Sequence, residues 1–127
     1  MRPSGGAAHS AIEVLTMASV MTRSLKLRKG GMVRDVAVRV FWPVADNAAW
    51  DCRWEIDWPE QPRSNAGRGV DAMQALVNAL TMIGAEIYCS EAHKAGQLTW
   101  NDEWRGYGFP VSPGLRDMLI GDDARFL

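Results

Sequence analysis

The segment from Trp50 to Trp58 constrains the fold more than any other part of the chain. Trp50, Cys52, Trp54, Ile56 and Trp58 alternate strictly with Asp51, Arg53, Glu55 and Asp57. Successive side chains of a strand point to opposite faces, so this run puts three indoles on one side and four charges on the other. The apolar side needs a large cover, and the charged side meets water. The segment is predicted to be a strand of a sheet with one buried face, and the rest of the chain must supply its neighbours.

Two earlier runs fit that role. Leu25 and Leu27 alternate with Lys26 and Arg28, and Gly30-Gly31 then offers a hairpin turn. The next run sets Val36, Val38, Val40 and Trp42 on one face and Ala37, Arg39 and Phe41 on the other. Pro43 cannot donate to a ladder and should end that strand or mark an edge. Asp46-Asn47 supplies the following turn. Pro59 and Pro62 break the sheet, and residues 62–69 read as a loop.

A helix is predicted over residues 70–92. Val70, Met73, Leu76, Val77, Leu80, Ile83, Gly84, Ile87 and Tyr88 fall at spacings of three and four and form one apolar stripe. Asp71 suits the positive end of the helix dipole, and Gly96 can end the helix in a left-handed conformation. At 1.5 Å per residue the helix would reach about 34 Å, enough to span a sheet. Gly84 in its interior points to close approach against the sheet, with a tryptophan as the expected neighbour. Beyond it, Leu98-Thr99-Trp100 suggests a short strand and Gly106-Tyr107-Gly108-Phe109-Pro110 an aromatic, glycine-rich turn. One short helical turn is expected after Ser112-Pro113. The predicted fold class is α+β: a three- or four-stranded antiparallel meander packed against one long helix, with a short irregular C-terminal segment.

With 127 residues, the chain has the size of one domain and can bury about two-thirds of its surface on folding. Residues 1–22 read as a poorly ordered extension and 23–127 as the domain. Residues 1–20 lack the continuous apolar stretch of a signal peptide, and Met17 or Met21 is an alternative start. Hydrophobic residues at 47% and a net charge of −1 give no electrostatic case for nucleic acid or an anionic membrane. The two cysteines and two histidines stand singly, without zinc-ligand spacing, so no metal and no cofactor are expected. Cys52 and Cys89 read as free thiols of a cytoplasmic protein.

Several groups could carry chemistry. Asp51, Glu55 and Asp57 stand about 7 Å apart along one strand face, a spacing that suits paired carboxylates. A solvated sheet face gives the same pattern, and Arg53 in the row would hold the carboxylates ionised. Cys89 and His93 are four residues apart near the helix end, with Glu91 between them, as a nucleophile and base would be. Gly67-Arg68-Gly69 before the helix is too short for a phosphate loop but could seat one anion. No catalytic residue is assigned. Trp50, Trp54 and Trp58 are expected in the core, whereas Trp100 and Trp104 lie in a polar context where exposure is plausible. The binding candidates are Asp71, Gln74, Trp100, Trp104, Tyr107 and Phe109.

The stretch Gly69-Val70-Asp71-Ala72-Met73-Gln74-Ala75-Leu76, running on through Ala79-Leu80 to Ile83-Gly84, resembles the helix of a family of short bacterial proteins of unknown function. The tail Gly96-Gln97-Leu98-Thr99-Trp100, followed by Gly108-Phe109-Pro110, is similar to theirs. The resemblance covers roughly residues 23–111. It implies an α+β domain and no assigned activity, and in size and build such domains resemble immunity proteins of bacterial toxin systems. The expected function is a non-enzymatic protein-interaction module, immunity-like or regulatory. The alternative is a small-molecule binder or enzyme with a pocket between the helix N-terminus and the C-terminal aromatic segment. A homodimer through the face of Arg39 and Phe41 is a third option.

Overall fold

The computed structural model describes residues 21–127, so the expectations for residues 1–20 lie outside the described residues. The elements are β1 (Met21–Lys29), β2 (Met32–Val40), β3 (Val44–Asp46), β4 (Ala49–Ile56), β5 (Arg63–Gly69), α1 (Ala72–Tyr88), α2 (Glu91–Lys94) and β6 (Leu98–Thr99). A 3-10 turn at Pro113–Met118 and a last helix, α3 (Gly121–Phe126), complete the chain. All strand pairs are antiparallel. β4 is central: β5 pairs along one side, while β2 and β3 share the other. Phe41-Trp42-Pro43 interrupts what would otherwise be one strand, as the proline predicts, and Trp42 lies outside β2 and is exposed. Asn47, at φ 56°, turns the chain into β4.

Alternation sorts the two faces as expected. Leu25, Leu27, Val36, Val38, Val40, Cys52, Trp54 and Ile56 are buried beneath the helix and the C-terminal segment, with Trp50 and Trp58 packed at the margin. The opposite face is a lattice of ion pairs: Arg39 with Asp57 at 2.7 Å, Arg53 with Glu55 at 3.0 Å, and Arg68 with Asp51 at 2.9 Å. Asp51, Glu55 and Asp57 are thus each held by an arginine on a water-facing surface.

Residues 63–69 form a strand rather than the expected loop. Arg-Ser-Asn-Ala-Gly-Arg-Gly has no β-branched or aromatic residue, so propensity gives no sign of it. What makes the strand is its pairing with β4 from Arg63 to Gly69 and the helix lying on it. A Cβ at Gly67 would come within 2.3 Å of the Ala79 backbone nitrogen, and one at Gly69 within 2.4 Å of that of Ala75. Ala75 and Ala79 are fully buried against these two glycines. The glycines therefore serve as the floor for α1 rather than as an anion-binding turn.

That contact turns the N-terminal half of the expected stripe outward, whereas Ile83, Gly84, Ile87 and Tyr88 of that stripe are buried as predicted. The buried positions are Ala75, Ala79, Ile83, Gly84, Ile87 and Tyr88. Val70 is 78% exposed, Met73 76% and Val77 56%, while Leu76 and Leu80 are only half-buried. Gly84 does make a close approach, but to the C-terminal segment. A Cβ there would lie 2.0 Å from the Pro110 carbonyl oxygen, with no tryptophan among its nearest neighbours. The helix also stops earlier than predicted. Cys89 caps α1, and Ser90 opens α2 by accepting from the His93 N–H, so Gly96 (φ 69°) follows the second helix.

Gly67→Ala is expected to lower the unfolding free energy by about 3 kcal/mol, because backbone atoms on both sides must move. Gly114→Ala, which meets nothing within 4 Å, should change it by less than about 0.5 kcal/mol. Urea titration followed by far-ultraviolet circular dichroism measures both.

Candidate functional site

The polar centre of the molecule is one fully buried carboxylate, Asp123. Gly121 adopts φ 54° and turns the chain into α3, which delivers Asp123 beneath the surface. Four donors converge on it. The Tyr88 hydroxyl, from the last residue of α1, donates to Oδ2. The Tyr107 N–H donates to the same oxygen at 2.8 Å. Oδ1 accepts from the Trp104 indole at 2.6 Å and from the Gly108 N–H at 2.8 Å. Gly106, at φ 117°, leaves the space: a Cβ there would sit 2.5 Å from the carboxyl carbon.

A second shell of aromatic and cationic groups surrounds this junction. Arg23, on the inner face of β1, stacks over Trp100 at 3.8 Å and Phe109 at 4.7 Å. Its guanidinium donates to the carbonyls of Tyr107 and Gly108 at 3.1 and 3.0 Å. Burial lowers the Arg23 pKa, against the opposing pull of the Asp123 charge. Tyr88, His93 and Tyr107 pack edge to face with centroids 4.8 to 5.4 Å apart. The His93 Nδ1 and the Tyr107 hydroxyl are hydrogen-bonded at 2.5 Å.

Proton chemistry is suppressed at this cluster. Burial raises the Tyr107 phenol to about 12, helped by the charge of Asp123. Burial, then the bond to Asp123, pushes Tyr88 well above its ordinary range. Burial moves His93 below its ordinary 6.5, so its ring is neutral at pH 7. Two protonated phenols, a neutral imidazole and a carboxylate with four donors make a lock rather than a proton relay. Cys89 is exposed at the end of α1, while the His93 ring is turned toward the tyrosines, so sequence proximity does not make a nucleophile–base pair of them.

The predicted site residues divide into two groups. Trp100, Trp104 and Tyr107 line a cleft of about 400 Å³ together with His93, Asn101 and Arg105. Phe109 is buried behind them, against Arg23 and the core. Asp71 and Gln74 stand at the far end of α1, about 26 and 21 Å along the helix from Tyr88 at 1.5 Å per residue. There they cap it. The Asp71 carboxylate accepts from the Gln74 N–H at 2.8 Å, and the Gln74 side chain reaches back to the Val70 N–H at 2.7 Å. The expected pocket between these two groups is therefore split by the length of the helix. Asp123, Tyr88 and Arg23 had no role in the sequence reading. Asp123 sits in an Asp-Asp pair of a short charged tail, and Tyr88 reads as the end of an apolar stripe. A lone Arg23 at a strand start carries no signal either.

Residues 21–111 match the family described as a domain of unknown function (DUF6968), and the chain belongs to that family. No curated protein and no solved structure matches it. Among the described residues, no group of three or more His, Cys, Asp or Glu side chains could hold a metal ion, and no helix is long and apolar enough to cross a membrane.

Two outcomes follow from the junction. Asp123→Asn turns an amide NH₂ toward two of the four donors and should destabilise the fold by about 3 kcal/mol or more. Asp122→Asn, at an exposed bond to the Arg105 N–H, should cost less than about 1 kcal/mol. His93 supplies a pH dependence. Its folded pKa lies below the unfolded value, so the unfolded state binds the proton first and stability falls as pH drops below about 6.5. His93→Gln should flatten the change in urea midpoint between pH 7 and 5.

Proposed function

We propose that this domain is a non-enzymatic module that binds another protein through the exposed side of α1, as an immunity-like or regulatory partner does. The observation that carries this reading is the row Met73, Leu76, Val77 and Leu80. These residues are neighbours at spacings of three and four, and two of them are more than half exposed. Val70 extends the row at the helix entrance. Because the first half of the helix rests on glycine and alanine, its larger apolar side chains are left to water, and contiguous apolar surface of this kind marks interaction sites. The saturation of the Asp123 carboxylate by four donors also favours a binding role over a catalytic one.

The partner surface would be apolar at its centre and polar at its rim, where Asp71, Gln74 and Asn78 flank the row. Burying methionine and valine side chains contributes about 1.5–3 kcal/mol each. The double variant Met73→Asp/Val77→Asp should therefore weaken the complex by roughly a hundredfold or more. Both positions already face water, so the urea midpoint should stay near that of the parent. The test is capture from the native host's extract with parent and variant as bait, followed by calorimetric titration of the purified partner. A stoichiometric protein held by the parent and lost by a folded variant is the expected result. A partner retained equally by both would overturn the assignment of this face.

A further inference from the structure

The inward positions of β5 change along the strand. Gly67 and Gly69 lie directly under α1, whereas Asn65 and Arg63 lie toward the other end, where a cleft of about 780 Å³ opens. The helix contributes Met82, Ala85, Glu86 and Cys89 to this cleft, and the sheet end contributes Leu27, Trp54 and Trp58. The volume falls within the range of small-molecule pockets; apolar atoms make up most of the exposed wall, although nine of its sixteen residues are polar or charged.

A second observation points to an occupant. Trp54 lines the cleft and is 1% exposed, and its indole Nε1 is the one buried side-chain nitrogen or oxygen among the described residues that has no hydrogen-bond partner. Buried polar groups are almost always paired, and an indole N–H can only donate. The nitrogen is closed off from solvent, so a molecule seated in the cleft would supply the acceptor only after displacing a wall group, such as the flexible Met82 thioether.

The charges around the cleft restrict its chemistry. Arg63 is bound to Glu86 at 2.7 Å and Lys29 to Glu60 at 3.6 Å, so both cations of the lining are already matched within it. Glu91, the remaining charge of the lining, is negative. An anion would find no cation without a partner there.

We infer that this cleft binds a small, flat, uncharged aromatic molecule whose carbonyl-type oxygen accepts the Trp54 indole N–H. The ring lies against Trp58, Leu27 and Met82. The site is separate from the exposed row of α1, which ends before Met82, and it does not depend on a protein partner.

Benzamide has this chemistry, benzoate adds a negative charge, and benzylamine lacks the carbonyl. The test titrates each into the full-length ¹⁵N-labelled chain and follows the six indole N–H cross-peaks. Trp54→Phe identifies the Trp54 peak; if that variant does not fold, Trp→Phe changes at the other five positions identify it by elimination. Benzamide should move that peak downfield and saturate it. Benzoate should bind at least about tenfold more weakly, and benzylamine should cause no downfield shift. Filling the cleft with Ala92→Leu, or with Ala85→Met should the first variant lose its native spectrum, should abolish the benzamide shift. A Trp54 peak that stays fixed up to the solubility limit of benzamide would overturn the proposal. So would equal binding of benzoate, or an unchanged shift in the filled variant.

Discussion

The carboxylate of Asp123 is the interaction on which the C-terminal third of the molecule depends. It gathers the end of α1 through Tyr88, the aromatic segment through Trp104, Tyr107 and Gly108, and its own helix α3. A buried carboxylate is costly unless its oxygens are fully engaged, and four donors engage these. The donors depend on it in turn, because two backbone N–H groups, an indole and a phenol would otherwise be buried without partners. Arg23 sits close enough for its charge and that of Asp123 to influence each other, and it fixes the same segment from the sheet side. The junction ties together elements distant in sequence, alongside the aromatic contacts of Tyr88, His93, Tyr107, Trp100, Trp104 and Phe126.

A different constraint governs the other half. Gly67 and Gly69 let α1 descend onto β5 until backbone meets backbone, and the matching helix residues have to be small, hence Ala75 and Ala79. On the opposite side of this contact, Gly84 admits the Pro110 carbonyl. With small residues on both sides, the first half of the helix is set by main-chain approach, and Ile83, Ile87 and Tyr88 pack its second half into the core. Two surface features share this origin. Met73 and Val77 turn outward because the inward positions are taken by alanines. The cleft opens where the glycine floor ends and Asn65 and Arg63 begin.

Period-two alternation made three strands of the sheet legible: β1, β2 and β4 could be read directly, and the Trp54 core position followed from them. The fourth long strand, β5, was hidden because it carries almost no side-chain pattern. Its strand character comes from the helix above it and from β4 beside it, neither of which propensity can see. The helix was visible as an element, and so was the buried face of its second half at Ile83, Ile87 and Tyr88; the facing of its first half was not. Hydropathy favours burying Met73, Val77 and Leu80, whereas glycine spacing on a strand not recognised as one decides for Ala75 and Ala79. Of the candidate site residues, Trp100, Trp104 and Tyr107 do share a cleft, because aromatic residues near glycines fold over one another at short range. Asp71 and Gln74 drew notice for a reason that turned out to be local: a reciprocal cap uses the same polar residues that a binding site would. Asp123 could not be read at all, since nothing in Gly-Asp-Asp-Ala distinguishes a buried acceptor from a solvated tail.

The span that matches the family, residues 21–111, contains every donor of the junction and lacks its acceptor. Tyr88, Trp104, Tyr107 and Gly108 all direct their N–H or O–H groups at a point occupied by a residue twelve positions beyond the end of that span. If the matched span stood alone, those four groups would be buried facing a void or would have to open to water, and the aromatic segment would lose its anchor on α1. In this chain, residues 112–127 supply the acceptor that these four donors share. Their short 3-10 turn and α3 carry little core of their own. Their contribution is to place one carboxylate where the rest of the fold has already assembled four donors.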